Sequence, residues 1–313
     1  MVSKVCGSGM KATMLGHDGL LAGSSNITVV GGMESMTNAP YLLPKARGGY
    51  RLGHGQIIDH MFMDGLEDAY AKETRGRLMG TFAEDCASSY GFTREQQDEF
   101  AIRSTTRAKQ ASNDGSFAWE IAPTTIAGRK GDVVLDKDEG PFAVNIEKIP
   151  TLKPAFRKDG TVTPANSSSI SDGAAAMVLM RASQAAKLGL QPIARIVGHT
   201  THAHTPALFP TAPVGAMQKM LAKAGWTAES VDLWEINEAF AVVTMAAIHD
   251  MKLAVEKVNI HGGACALGHP IGASGARILV TLLGALKKTG GKRGIASLCI
   301  GGGEATALAV EML

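Results

Sequence analysis

Two stretches decide the fold of this 313-residue chain: residues 6–35, CGSGMKATMLGHDGLLAGSSNITVVGGMES, and residues 269–303, HPIGASGARILVTLLGALKKTGGKRGIASLCIGGG. Each opens with a reactive side chain, Cys6 or His269, beside small residues (SGMKA against SGARI). Each then runs through a helical stretch, a Gly-rich turn and an apolar strand that ends in glycines. Leu279, Leu282, Leu283 and Leu286 fall on one helical face, and the stretch up to Leu21 carries a fainter version of that pattern. The chain therefore reads as two similar halves, each built around one helix–strand unit.

Outward from the second unit, the spacing predicts strands at Ala174–Met180, Ala194–Gly198 and Val231–Ile236, and others near 294–300 and 305–311. Between them it predicts helices at Ser183–Leu188, at Val214–Ala224 (stopped by Gly225) and at Ala239–Met251. Alternating elements with near-continuous apolar strands imply an α/β fold, a mostly parallel sheet with helices on both faces. Ala174 lies 95 residues before His269, whereas five residues precede Cys6. On this internal comparison the first half lacks a counterpart of roughly 80 to 95 residues, and we expect it to be incomplete. The expected organisation is a remnant of the first half at 1–35, an inserted loop region with the end of that half at 36–165, and the second half at 166–313. Within the insert, LPKARGGYRLGHGQ reads as an exposed basic loop, and GRKGDVVLDKDEG as a surface turn and strand. Thr93-Arg-Glu-Gln96 reads as a capping box that opens a helix to about Ser112. Two independent domains divided near 160 are the alternative.

The 45% apolar and 19% charged content marks a folded globular chain. A formal charge of +2 supplies no basic field for nucleic acid. The uncharged stretch Val258–Ala276 carries five Gly, two His and a Pro, so it reads as a loop and not a membrane span. The four Cys, at 6, 86, 265 and 299, form neither a disulfide framework nor a paired metal motif. With no leader-like opening, a cytoplasmic protein is expected.

Cys6 precedes Gly-Ser-Gly at a helix start, where free N–H groups and the helix dipole favour a thiolate; a small buried residue is the plainer reading. His269, among small residues, suits a general base or an oxyanion donor, or a structural loop histidine. Cys299 ends a buried strand that opens into Gly301-Gly302-Gly303, whose N–H groups suit an oxyanion. Asn237 with Glu238 reads as a cap on the following helix, at a strand end where α/β sheets place ligands. His199, His202 and His204 lie close in sequence, but nothing completes a metal site with them, and no metal is expected. Joined by a pseudo-twofold axis, the two helix starts would meet, with Cys299 and Asn237 facing the same cavity.

VCGSGMKA, NEAFA, GHPIGASGAR and LCIGGG, in this order and spread over the chain, resemble the four signature blocks of the thiolase family. GGMESM, ANSSSISDGAAA and KPAF extend the likeness. The resemblance implies a five-layered αβαβα fold of two similar halves and a reversible Claisen condensation. It implies that Cys6 holds the acyl group as a thioester and that His269 activates Cys6. His269 and a water on Asn237 would polarise the thioester of the second substrate, and Cys299 would move its α-proton. The N–H groups of Cys6 and Gly301 would form a second oxyanion hole. Ser168 would contact the pantetheine arm, with Met79 and Phe240 also on the substrate. CoA would be a substrate, with no bound cofactor, and the protein a homodimer or homotetramer with no nucleic-acid or membrane partner. The chain departs from the family pattern at Leu78-Met79-Gly80-Thr81 and at LFPTAP, residues 208–213.

The implied activity is acetyl-CoA C-acetyltransfer. The alternatives are a 3-ketoacyl-CoA thiolase of broader chain length and a non-catalytic CoA-ester-binding module. A ketoacyl synthase, with two His in place of the second Cys, fits Cys299 poorly.

Overall fold

The structure, a computed structural model, describes residues 1–69 and 71–313. Cys6 lies in a single 3-10 turn, Val5–Gly7, that runs into helix α1 (Ser8–Leu21) and then strand β1 (Ile27–Ser35). The long connection supplies α2 (Met79–Tyr90) and α3 (Arg94–Asn113). Next come β2 (Asp172–Met180), β3 (Ala194–Ala203), α4 (Ala212–Ala224), β4 (Leu233–Ile236) and α5 (Ala241–Met251). The last elements are α6 (Ile271–Thr289), β5 (Arg293–Ile300) and β6 (Glu304–Met312). The chain is α/β, as the alternation predicts.

Local chemistry sets the ends. At α3, the Thr93 hydroxyl accepts from the Gln96 N–H while the Gln96 side chain accepts from the Thr93 N–H, the predicted capping box. Gly225 and Gly290 close α4 and α6 in the left-handed region, at φ 65° and 72°.

The sheets depart from the mostly parallel expectation. The second sheet has the order β3-β6-β5-β4, and only β4 and β5 run parallel. The short turn Gly301–Gly303 joins β5 to β6, and so tight a turn forces its strands antiparallel. Residues 174–180, read as the opening strand of the second half, instead pair, together with Asp172 and Gly173, antiparallel with β1, so this segment belongs to the first sheet. Strand-forming composition marks a strand but not its partner. The pairing also explains the insert: β1 and β2 are related as β5 and β6 are. Residues 36–171 stand where the second half has a three-residue turn.

Helix α6 lies between the sheets, packed on β1 and β2 on one side and on β4 and β5 on the other, with α1 alongside. Its apolar face, Ile278, Leu279, Leu282 and Leu286, joins Met10, Leu298 and Leu308 in one core. On the opposite face of the second sheet, α4 and α5 bury Met217, Met220, Trp234 and Ile295. Val29, Met33 and Val178, on the outer side of the first sheet, are exposed.

The two repeat helices meet reciprocally. A Cβ on Gly9 would lie 2.8 Å from the Ala276 nitrogen, and one on Gly275 would lie 2.5 Å from the Met10 nitrogen. Gly9-Met10 and Gly275-Ala276 are equivalent positions of the repeat, so each unit presents the same patch to the other, as a twofold interface requires. Backbones this close admit only glycine.

Candidate active site

The reciprocal crossing carries the turn before α1 onto the start of α6 and the end of β5. Val5, immediately before Cys6, takes φ 46°, a left-handed conformation that costs a β-branched residue about 1–3 kcal/mol. Neighbouring contacts impose it. Ser8 Oγ donates to the Val5 carbonyl at 2.7 Å and accepts from the Lys4 N–H at 2.9 Å, and the Lys4 ammonium pairs with Glu304.

Cys6 is half-buried against the core that α6 builds. Burial pushes its thiol up to about 11, against the N–H groups of Gly301 and of Cys6 itself, which favour the thiolate. The thiolate expected from the helix start is therefore not the resting form, because desolvation outweighs the main-chain donors. Cys299 is buried, and its thiol is raised well above the ordinary range, first by desolvation and then by proximity to the Cys6 charge. Two thiols and the Gly301 N–H thus share one locus.

His269 is buried at the start of α6, where desolvation, helped by the charge of Arg277, lowers its pKa to about 3. The ring is neutral. Its Nδ1 lies 2.5 Å from Ser274 Oγ, and that hydroxyl lies 3.0 Å from the Pro270 carbonyl, its acceptor. With the serine proton committed to Pro270, Oγ accepts from Nδ1–H, which leaves Nε2 as the basic nitrogen. Nε2 is buried and has no partner among the described residues.

Asn237 follows β4, and its N–H donates to the Ser297 carbonyl at 3.0 Å, two residues before Cys299. Its amide nitrogen stands 3.5 Å from His269 Nδ1, and its Oδ1 is buried without a partner among the described residues. Asn237 does not cap α5. Phe240 holds the cap position without a side-chain bond, and the Asn166 carbonyl accepts from the Ala241 N–H at 2.8 Å. Buried polar groups are normally satisfied, so the orphaned His269 Nε2 and Asn237 Oδ1 mark this region as built for something besides stability.

The remaining predicted residues line the same neighbourhood. Met79, at the start of α2, packs with Phe82, Phe209, Phe240 and Cys299. Its sulfur lies 3.6 Å from where a Cβ on Gly301 would stand. Phe240 also meets Phe156, ring centres 6.0 Å apart. Ser168 directs both its N–H and its hydroxyl to the Ala239 carbonyl at 3.0 Å, which ties its loop to the strand end bearing Asn237.

The roles of three supporting residues escape a sequence reading. Ser274 sits in the GHPIGASGAR block but shows its purpose only through the His269 contact. Glu238 accepts from Ser104 Oγ at 2.6 Å, Asn259 Nδ2 at 2.8 Å and the Cys265 N–H at 3.1 Å. Asn259 in turn bonds both main-chain groups of Ile236 at 2.8 Å, fixing the strand end beside Asn237. In the sequence Glu238 reads only as part of a cap with Asn237, and nothing marks Asn259. The histidine trio does not assemble. His199 reaches Asp18, whereas the rings of His202 and His204 pack edge to face with centres 5.2 Å apart.

Chemically, a buried thiol with two main-chain donors, a second thiol beside it and a neutral imidazole with a free Nε2 can perform nucleophilic acyl transfer with proton exchange. The fold, with its doubled helix–strand unit, defines a class for which this chemistry is apt. The family model for the thiolase N-terminal domain matches residues 1–183, and that for the thiolase C-terminal domain matches 190–312. The chain belongs to the thiolase family. It is 48% identical to acetyl-CoA acetyltransferase 2 of Arabidopsis thaliana, covering all of this chain and 77% of that protein. It is 47% identical to the acetyl-CoA acetyltransferase of Cupriavidus necator, over 99% of this chain and 78% of that one. The crystal structure of the Bacillus anthracis acetyl-CoA acetyltransferase superposes with a TM-score of 0.95 at 44% identity, covering all of this chain and 78% of the other. The Acat5 thiolase from Ascaris suum, solved in complex with coenzyme A, gives 0.92 at 43% identity, with the same shares covered.

Proposed function

We propose that the protein is an acetyl-CoA C-acetyltransferase that interconverts two acetyl-CoA with acetoacetyl-CoA and CoA through an acyl-cysteine at Cys6. The observation that carries this reading is the neutral His269, with Nε2 free, in a site where the Gly301 N–H already points at the Cys6 sulfur. The names of the relatives at about half identity support the same activity.

In this reading His269 Nε2 takes the Cys6 proton as the sulfur attacks the acetyl-CoA carbonyl. The N–H groups of Cys6 and Gly301 hold the oxyanion at the acylated cysteine. CoA departs as its thiol, with the Cys299 proton, and leaves Cys299 as a thiolate. Cys299 then removes the α-proton of a second acetyl-CoA, while His269 and a water on Asn237 hold the enolate oxygen. The carbanion attacks acetyl-Cys6, and collapse expels the cysteine. Splitting the exchange at a thioester replaces one hard step by two easier ones. CoA enters as substrate and product, with no resident cofactor. The aromatic crowd of Phe82, Phe156, Phe209 and Phe240 around Met79 supports a short acyl group. In the same reading Ser168 and Phe240 contact the pantetheine arm. The same reading includes a cytoplasmic homodimer or homotetramer, supported by the exposed Val29, Met33 and Val178, without nucleic-acid or membrane partners. Among the described residues no helix is long and apolar enough to cross a membrane.

Thiolysis of acetoacetyl-CoA, followed by loss of its enolate absorbance, tests the proposal. Activity is expected in the wild type and absent in Cys6→Ser. Equal rates in the two would overturn the nucleophile, and CoA binding by calorimetry without turnover would favour a non-catalytic module.

A further inference from the structure

The repeat places a second, unrelated cluster at the far end of α1. His17 and Asp18, in the last turn of the helix, meet His199 from β3. His199 Nε2 lies 2.9 Å from Asp18 Oδ1, and His17 Nδ1 lies 3.5 Å from the same oxygen. The rings stand edge to face with centres 5.4 Å apart. One ligand atom from each of the three residues falls within 4.8 Å of the others. The histidine side chains are only 19% and 15% exposed, whereas Asp18 opens to solvent at 52%. Rising about 1.5 Å per residue, the helix sets this cluster roughly 17 Å from Cys6.

A hydrogen-bonded network explains this arrangement only in part. His199 is satisfied by Asp18, but His17 Nδ1 is buried with no hydrogen-bond partner among the described residues, and 3.5 Å is too long for a good bond. A divalent cation explains the spacing better. Nitrogen and oxygen ligands about 2.0–2.2 Å from a tetrahedral centre lie roughly 3.3 Å apart, between the two separations observed. Two imidazoles and one carboxylate, with an open side toward solvent, are a donor set suited to zinc and neighbouring first-row ions, with water in the fourth position.

We propose that His17, Asp18 and His199 form a binding site for a zinc-class divalent cation that staples the end of α1 to β3, and so joins the two halves. This differs from the histidine trio read in the sequence, because His199 finds its partners on α1 and not on its own strand. Lys223 opposes binding: its ammonium donates to the His199 carbonyl at 3.1 Å.

Titration of the protein with Co²⁺, followed by visible d–d absorption, tests the site without reference to catalysis. The expected result is one equivalent bound without a thiolate-to-cobalt charge-transfer band, and a Tm that rises with added Zn²⁺. His199→Gln and His17→Gln should each weaken binding at least tenfold and remove the Tm shift, and Lys223→Met should tighten it. Having two histidine variants guards against one that fails to fold. Absence of binding, binding unchanged in the folded histidine variants, or a charge-transfer band showing that the metal sits on cysteine would each overturn the proposal.

Discussion

His269 Nδ1 lies 2.5 Å from Ser274 Oγ, one helical turn along α6, and the serine hydroxyl donates its own hydrogen bond to the Pro270 carbonyl. This relay selects the tautomer whose lone pair is on Nε2. Ser274 touches no substrate in the proposed mechanism, so it is a positioning residue. Ser274→Ala should lower kcat about 10- to 100-fold with KM little changed, since it removes alignment of the base and not binding. Stability should fall by about 1 kcal/mol from the lost bond. A shift of the acidic limb of the pH–rate profile distinguishes tautomer control from a packing defect, which would leave that limb in place.

Cys6 should react as a thiol until alkaline pH. Burial raises it from 9.0 to about 11, and His269 is not charged near neutrality to assist it. Iodoacetamide alkylation, located by peptide mass, should accelerate steadily above pH 9. A plateau at pH 6–7 would reveal a thiolate–imidazolium pair and refute this picture. The linked stability has a definite sign. The buried thiol's contribution is complete below pH 9 and is lost as pH rises through 11, because the unfolded chain releases the proton first.

His269 predicts an acid-side effect. Its folded pKa is near 3 and its unfolded value 6.5, so below pH 6.5 the unfolded chain takes up a proton that the native state refuses. Stability should drop by up to about 1.4 kcal/mol per pH unit between 6.5 and 3 from this group alone. Denaturant midpoints of wild type and His269→Asn across that window measure it, and the variant should show the shallower slope.

Gly275→Ala inverts the usual helix rule. Inside a helix, alanine normally gains about 1 kcal/mol over glycine. Here the added methyl would stand 2.5 Å from the Met10 nitrogen, which is backbone and cannot swing aside. A loss of about 2–4 kcal/mol in chemical denaturation is expected, at the upper range for overpacking. Gly9→Ala should behave alike, and neutral effects at both positions would argue against the reciprocal crossing.

The chain's own pattern determined a good deal. The repeat beginning at Cys6 and His269, the leucine stripe of α6, the strand at 27–35 and the cap at Thr93 are local or periodic signals. They survive because helix and strand periods are printed residue by residue. Strand partners were decided elsewhere: β2 turned to β1, and β6 folded back on β5, since pairing depends on which edges meet. The chemistry of the site was also tertiary. Helix-start logic favoured a Cys6 thiolate, but enclosure by the second half reversed the balance. Ser274, Glu238 and Asn259 became legible only through contacts. So did the meeting of His17 and Asp18 with a histidine some 180 residues away in the chain. Sequence records which groups are present and how often they recur. Burial and distance set their charge and their partners, and these follow from the folded contacts of remote segments.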